Sequence, residues 1–307
     1  MPGGHAAHSD EWTGHDAARV LRVPTASDHK YSRGIVALHT GSRAYPGAAV
    51  LSAEGAWRAG SGMVRWDGPR EVAGLVLARR PETVVGAGRA DAHVIGSGID
   101  ARARDDALTT RLQAVLRGGA PVVVDAGALD LAAQARVPLV VTPHDGELRE
   151  VRIPLGFGID DVDDDPLAPR LSGAFAERVL VVRETAVALG GVVVLKGAAT
   201  IVATPGGWWT TVRAGTPWLA TAGTGDVLAG ALGAVLAGAA AAARVEGREL
   251  DVEELGPVAA TAVWLHGTAG RIAAGQAPLA GGGPGRPITA LDVAEALPDA
   301  FAHARVP

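Results

Sequence analysis

The amino-acid sequence predicts an α/β protein in which a mostly parallel central sheet carries helices on both faces. Short apolar runs rich in β-branched residues recur along the chain, and each ends at a glycine or a polar residue. Of the 307 residues, 48% are apolar but only 4% are aromatic, so Ala, Val, Leu and Gly dominate, which suits close packing of helices on a sheet. A doubly wound sheet can take up this whole length.

Four of the apolar runs are interpreted as strands that each lead into a functional turn. In chain order they lie in residues 94–99, 121–127, 140–147 and 191–200. Because the carboxyl ends of parallel strands meet at one edge of a sheet, where ligands bind, we expect these four turns to converge on one crevice.

The segment 222–230, Ala-Gly-Thr-Gly-Asp-Val-Leu-Ala-Gly, combines an anion site with a candidate base. Two glycines allow a tight turn, and the apolar run from Val227 to Ala243 is expected to form a helix. The N-terminus of such a helix offers unpaired N–H groups and partial positive charge to a phosphate. Asp226 lies where it could take a proton from a substrate hydroxyl that attacks phosphorus. The alternative is an ordinary aspartate N-cap after a glycine turn.

Composition excludes several other classes of protein. The net charge of −5 gives no basic surface for nucleic acid. With no cysteine, the chain can form no disulfide, thiol nucleophile or Cys-ligated metal site. Residues 1–27 lack the basic and apolar pattern of a signal peptide, so the cytoplasm is the expected compartment. The run 227–243 is mostly Ala and Gly and short for a membrane span, so we expect a buried helix and no membrane association.

Several linked motifs together resemble those of the bacterial ADP-dependent NAD(P)H-hydrate dehydratases, a branch of the ribokinase-like small-molecule kinases. The resemblance extends from about Asp28 to Phe301. The motifs that carry it are Asp-His-Lys-Tyr-Ser-Arg-Gly at 28–34, Tyr-Pro-Gly-Ala-Ala-Val-Leu at 45–51, Gly-Ser-Gly at 96–98, Thr-Pro-His at 142–144, Lys-Gly-Ala-Ala-Thr at 196–200 and Gly-Thr-Gly-Asp at 223–226. Their order and spacing make the resemblance specific, and it implies a ribokinase-like fold.

The resemblance also implies two sub-sites on either side of Asp226. Nucleotide binding, of ADP as co-substrate and AMP as product, is expected from Lys196, Gly197, Ala198, Ala199, Thr200, Gly223, Thr224 and Gly225. Binding of the hydrated dinucleotide is expected from Ala49, Gly98, His144 and Asp226. Glu147 is expected to hold Mg²⁺ through water, as small-molecule kinases need.

The implied reaction restores NADH or NADPH from the hydrates NADHX and NADPHX. Asp226 would deprotonate the hydroxyl on the hydrated ring as that hydroxyl attacks the terminal phosphate of ADP, giving AMP and a phosphate ester that then loses phosphate. A true small-molecule kinase, of a hydroxymethylpyrimidine or a sugar, would leave the phosphoryl group on its product. A nucleotide sensor would not require a base at 226, and no Gly-x-Gly-x-x-Gly motif supports a dinucleotide oxidoreductase.

Two departures from the family pattern concern the middle of the chain. Asp145 stands where the family more often has proline, although Glu147 is kept, and the segment 155–171 is unusually acidic. We expect residues 1–27 to be a mobile extension, because His5, His8 and His15 lack the pattern of a metal site. Residues 28–303 are expected to form one ribokinase-like domain, and the protein is expected to be a homo-oligomer, such as a tetramer.

Overall fold

The structure, a computed structural model, describes residues 11–157, 167–276 and 283–305. Within these ranges nine strands form one sheet. The strands are β1 (Ile35–His39), β2 (Met63–Trp66), β3 (Val84–Val85), β4 (Ala92–Ile95), β5 (Val122–Val124), β6 (Leu139–Val141), β7 (Val192–Leu195), β8 (Thr200–Ala203) and β9 (Trp209–Val212).

The sheet is mostly parallel, as predicted. Its spatial order is β3-β2-β1-β4-β5-β6-β7-β8-β9, and the first seven strands in this order pair in parallel. Strands β8 and β9 add antiparallel pairs at one edge. The central strands β5, β6 and β7 are buried at every residue, which explains why the sequence shows continuous apolar runs rather than alternation.

Helices cover both faces of the sheet. They are α1 (Gly14–Val20), α2 (Pro46–Arg58), α3 (Arg70–Arg79), α4 (Asp106–Leu116), α5 (Leu148–Arg152), α6 (Leu167–Ser172), α7 (Phe175–Leu189), α8 (Thr224–Val245), α9 (Leu255–Ala273) and α10 (Ala290–Ala304). Neighbouring strand residues point to opposite faces, so Val94 joins the core formed with α2, α8, α9 and α10, whereas Ile95 joins the core formed with α4, α5 and α7.

Helices α2 and α8 cross in close contact because glycine occupies both sides of the crossing. A Cβ on Gly230 would lie 2.0 Å from the carbonyl oxygen of Ser52, and one on Gly55 would lie 2.2 Å from that of Val227. The crossing brings the first turn of α8 beside α2, where Leu51 would contact any side chain placed at Gly223.

Part of the N-terminal extension is folded, which corrects the expectation that residues 1–27 are mobile. Thr13 and Asp16 form a capping box at the start of α1. Ala17 is fully buried where α1 packs on α9 and α10, and the N–H of Trp12 donates to the carbonyl of Thr211. The cap and the buried apolar side stabilise a helix that the composition of this segment did not suggest. His15 lies in α1, whereas His5 and His8 belong to residues 1–10, which lie outside the described residues.

Helix α8 is long and apolar enough to cross a membrane by length and composition alone. In the protein 72% of the most apolar 18-residue stretch of α8 is buried. Packing in the core therefore accounts for its apolar character, as the sequence predicts.

Candidate functional site

The carboxyl ends of four parallel strands meet at a buried carboxylate, Asp125, which directly follows β5. Ser97 donates to its Oδ2 at 2.8 Å, and Thr142 donates to its Oδ1 at 2.7 Å. Lys196 Nζ lies 3.0 Å from the same Oδ1. These contacts join the ends of β4, β5, β6 and β7, so the predicted convergence is confirmed. Asp125 itself was not among the predicted site residues, although an aspartate directly after three buried valines was a visible signal.

The backbone next to this carboxylate adopts an unusual conformation. Ala126 has a φ of 44°, and among the residues that the structure describes it is the one non-glycine residue with positive φ. Such a conformation costs free energy and is common at functional sites. The turn after β5 is therefore held in place by its surroundings, which fixes the position of Asp125.

Lys196 lies between two carboxylates at the end of β7. Its Nζ is 3.0 Å from Asp125 Oδ1 and 3.4 Å from Glu147 Oε2. Burial alone would lower the pKa of Lys196, but the charges and hydrogen bonds of Asp125 and Glu147 outweigh it and raise this pKa. Lys196 is therefore a fixed positive charge, suited to binding an anion.

Helix α8 begins three residues earlier than the sequence predicts. Gly223 is the N-cap in the left-handed conformation, with a φ of 89°, and the helix begins at Thr224 rather than Val227. Asp226 is thus the third residue of the helix, and no side chain caps it. The interpretation of Asp226 as a plain N-cap is wrong, because the glycine makes the turn that a cap residue would otherwise make.

The pKa of the Asp226 carboxyl is raised from 3.8 to about 7. Burial is the main cause, and the negative charge of Asp125 acts in the same direction, whereas Lys196 opposes both. A carboxyl with a pKa near neutrality binds a proton readily and can release it again. This is what a general base needs at neutral pH.

Polar contacts hold the first residue of α8 on both sides. The hydroxyl of Thr224 donates to the carbonyl oxygens of Leu219 at 2.8 Å and Thr221 at 2.9 Å. Its own carbonyl oxygen lies 2.9 Å from Nε2 of His266, a buried side chain of α9. Sequence analysis missed His266, because nothing in its apolar helix sequence indicates a neighbour 42 residues earlier.

The loop after β6 carries His144 and Glu147. The N–H of His144 donates to Glu147 Oε2 at 3.0 Å, while the imidazole side chain remains 58% exposed. The backbone of His144 pairs with that of Lys196. Asp145, which departs from the family pattern, accepts two hydrogen bonds of 2.8 Å from Arg178 of α7. This ion pair ties the loop to the neighbouring helix.

A cavity of about 630 Å³ opens beside these residues. Seven of the predicted site residues line it: His144, Lys196, Gly197, Ala198, Thr200, Thr224 and Gly225. The remaining wall is mostly apolar and includes Val212, Pro217, Leu219, Leu228 and Val263. This volume is that of a typical small-molecule site, and one charged region within apolar walls suits a nucleotide.

The predicted dinucleotide residues Ala49 and Gly98 lie together beside the start of α2, outside the lining of this cavity. Gly98 has a φ of 68°, and a Cβ there would lie 2.3 Å from Cβ of Ala48. Ala49 is fully buried, and a Cβ on Gly41 would lie 2.7 Å from its methyl group. His144 does not share this position, since it lies on the rim of the cavity beside Lys196. Its assignment to the dinucleotide stays a prediction.

No group of three or more His, Asp or Glu side chains suited to holding a metal ion occurs in the described part of the chain. Glu147, the predicted magnesium residue, already accepts from the His144 N–H and lies near Lys196.

The chain is similar in sequence to proteins of known function. A family model described as NAD(P)H-hydrate dehydratase matches residues 36–282. The bifunctional NAD(P)H-hydrate repair enzyme Nnr of Mycobacterium tuberculosis is 39% identical over 229 residues, which are 70% of this chain and 43% of that protein. The chain therefore spans less than half the length of this relative. The ADP-dependent (S)-NAD(P)H-hydrate dehydratase of Xanthomonas campestris is 33% identical over 70% of this chain and 76% of that protein.

Solved structures agree with the fold. An ADP/ATP-dependent NAD(P)H-hydrate dehydratase from Bacillus subtilis, co-crystallized with ATP and Mg²⁺, gives a TM-score of 0.76 at 25% identity, with 98% of this chain and 100% of that chain covered. A ribokinase-like superfamily protein from Enterococcus faecalis gives a TM-score of 0.75 at 23% identity, covering 100% of both chains, which supports the ribokinase-like fold alone.

Proposed function

The chain belongs to the NAD(P)H-hydrate dehydratase family, and on that premise we propose that it dehydrates (S)-NAD(P)H-hydrate at the expense of ADP. The products would be NADH or NADPH, AMP and phosphate. The observation that carries the proposal is the position of Asp226, a carboxyl with a pKa of about 7, in the first turn of α8 and directly after Gly225, which lines the cavity.

Asp226 is the proposed general base. It accepts the proton of the ring hydroxyl as that oxygen forms a bond to the β-phosphorus of ADP and the bond from this phosphorus to the bridging oxygen of AMP breaks. The ring nitrogen's electron pair then expels the phosphate, and loss of a proton from the adjacent ring carbon restores the double bond. The hydroxyl oxygen of the hydrated ring therefore leaves as part of the phosphate, and all atoms of the hydrate and of ADP are accounted for in the products.

The nucleotide is assigned to the cavity of about 630 Å³. Lys196, which the carboxylates of Asp125 and Glu147 hold in place, supplies positive charge to the phosphates. The N–H groups at the start of α8, in the turn from Gly223 to Gly225, supply hydrogen bonds to the phosphoryl group that is transferred. The apolar walls then accommodate the base. Positioning and charge stabilisation are the protein's main contributions to phosphoryl transfer.

The residues present fit a magnesium ion held mainly by phosphate oxygens and water. Magnesium commonly binds one or two carboxylates together with substrate phosphates rather than an all-protein cage. Glu147 is the carboxylate that we assign to it, through water, and its side chain is 23% exposed beside Lys196. The ion would neutralise developing charge on the phosphoryl oxygens.

One assay tests the proposed activity against the alternative of a small-molecule kinase. The protein is incubated with ADP and either hydrated NADH or hydrated NADPH, and both the absorbance of the reduced nicotinamide ring and free phosphate are followed. We expect both signals to rise together in equal amounts. A stable phosphate ester without recovery of the reduced ring would indicate a kinase, and no turnover with either hydrate would refute the proposal.

Two variants test the division into sub-sites. Lys196→Ala should weaken AMP binding about ten- to a hundredfold, because it removes a charged partner of the phosphate, and should leave affinity for an unreactive NADPH analogue nearly unchanged. His144→Ala should do the reverse. Separate titrations with the two ligands measure this, and an equal loss of both ligands in both variants would show that the two-sided site is wrong.

A further inference from the structure

His266 lines the cavity and carries a ring nitrogen, Nδ1, that has no hydrogen-bond partner among the described residues. It lies on α9, is 8% exposed and lines the cavity wall. Its Nε2 is 2.9 Å from the carbonyl oxygen of Thr224. Because a carbonyl oxygen can only accept, Nε2 must carry the hydrogen of this bond.

The imidazole of His266 is neutral at physiological pH. Burial lowers its pKa to about 4, with the nearby charge of Lys196 acting in the same direction and the bond to Thr224 opposing both. A neutral ring has a single N–H, which is already on Nε2, so Nδ1 carries only a lone pair. Within the described ranges no group donates a hydrogen bond to Nδ1. A ligand in the cavity could therefore supply the missing donor.

The surroundings of His266 indicate which part of a nucleotide meets it. Leu228 lies one helical turn beyond Thr224 along α8, and Val263 lies one turn before His266 along α9, and both line the cavity. Apolar walls of this kind suit the flat face of a base, whereas ribose hydroxyls and phosphates require polar groups. His266 is thus a polar group among apolar side chains of the wall, although the charge of Lys196 still reaches it.

We infer that Nδ1 of His266 accepts a hydrogen bond from the exocyclic 6-amino group of a purine and so selects adenine nucleotides over 6-oxopurine nucleotides. The inference rests on the proposed function, in which ADP occupies this cavity. A 6-oxopurine would place a carbonyl acceptor against the lone pair of Nδ1, leaving both unpaired. We expect the wild-type protein to bind ADP about ten- to a hundredfold more tightly than inosine diphosphate.

Two substitutions separate this role from the bond to Thr224. His266→Gln keeps an amide N–H that reaches as far as Nε2 and can donate to Thr224, but it removes the acceptor at Nδ1. His266→Asn keeps a polar group at the position of Nδ1, which can present its oxygen as an acceptor, but it loses the bond to Thr224. The Gln variant should bind ADP and inosine diphosphate about equally, whereas the Asn variant should bind both more weakly and still prefer ADP.

The experiment measures dissociation constants of ADP, inosine diphosphate and 2′-deoxy-ADP for the wild-type protein and both variants, with thermal unfolding as a check on folding. Equal binding of ADP and inosine diphosphate by the wild-type protein overturns the inference and leaves the proposed function intact. So does an unchanged preference in the Gln variant, or a preference of the wild-type protein that depends on the 2′-hydroxyl instead of the base. If the wild-type protein binds no ADP, both the proposed function and the inference are wrong.

Discussion

Replacing Asp226 by asparagine should abolish turnover and at the same time stabilise the fold. Asparagine has nearly the same shape but cannot accept the proton of the substrate hydroxyl, so the rate should fall on the order of a hundredfold or more. The stabilising effect follows from the environment of the carboxylate, whose ionised form is disfavoured by burial and by the charge of Asp125.

The size and sign of the stability change follow from the raised pKa. Between pH 3.8 and about 7 the unfolded chain releases the Asp226 proton while the folded protein keeps it. Stability therefore falls as pH rises through this window, and the full loss is present above pH 7. At 1.36 kcal/mol per pH unit, the rise from 3.8 to about 7 corresponds to a loss of about 4 kcal/mol, which the Asn variant does not incur.

Urea unfolding of the ligand-free wild-type and variant proteins at pH 5 and pH 8.5 measures this difference. We expect the variant to be more stable at both values, with an advantage about 3 kcal/mol greater at pH 8.5 than at pH 5. Asp299→Asn, the same substitution at an exposed position of α10, is the control and should change stability by less than about 0.5 kcal/mol at either pH.

Opposite changes in activity and stability also exclude misfolding as the reason for lost turnover. If the Asp226 variant is no more stable than the wild-type protein at pH 8.5, the carboxylate ionises without penalty and the reasoning about its environment is wrong. If it keeps its activity, Asp226 is not the base.

Three further predictions follow from the same structure. In the wild-type protein kcat/KM should rise with pH through about 7 as Asp226 loses its proton. Asp125→Asn should move this rise to lower pH, because it removes a negative charge that raises the pKa of Asp226. A move to higher pH would contradict the assignment of Asp226 as the base. ADP should support a higher initial rate than ATP at equal concentration, since the family resemblance is to ADP-dependent enzymes, and a strong preference for ATP would refute this expectation. Gly55→Ala should destabilise the fold by about 1–3 kcal/mol, as judged by thermal unfolding, because the new methyl group would lie 2.2 Å from the carbonyl oxygen of Val227. The control is Gly74→Ala in α3, where no atom lies within 4 Å of the new Cβ. This control should stabilise the fold by up to about 1 kcal/mol.

Local patterns in the sequence were sufficient to predict four of the nine described strands and the edge of the sheet at which they end. The runs that became β5, β6 and β7 are apolar along their whole length, because both faces of each strand are buried, and β4 departs from this only at the half-buried His93. Parallel pairing then places their carboxyl ends together whatever their order in space. Glycine and threonine at 223–225 likewise indicated a turn at a helix start. Glycine readily adopts the positive φ that such a turn requires, and Gly223 has a φ of 89°.

Tertiary structure alone decided which side chains meet and how they are charged. Asp125 is bonded to Ser97, Thr142 and Lys196, which follow three different strands, and their spacing along the chain carries no information about these distances. The exact start of α8 also depended on the conformation of the preceding turn rather than on the apolar run that follows it.

The pKa of Asp226 and the neutral state of His266 are consequences of burial and of charges brought from distant parts of the chain. Residue type sets only the ordinary pKa of a side chain, whereas its shift depends on desolvation and on the distance to other charges, which exist only once the chain has folded. The sequence therefore determined which groups could carry out the chemistry, and the fold determined the protonation state in which they would do so.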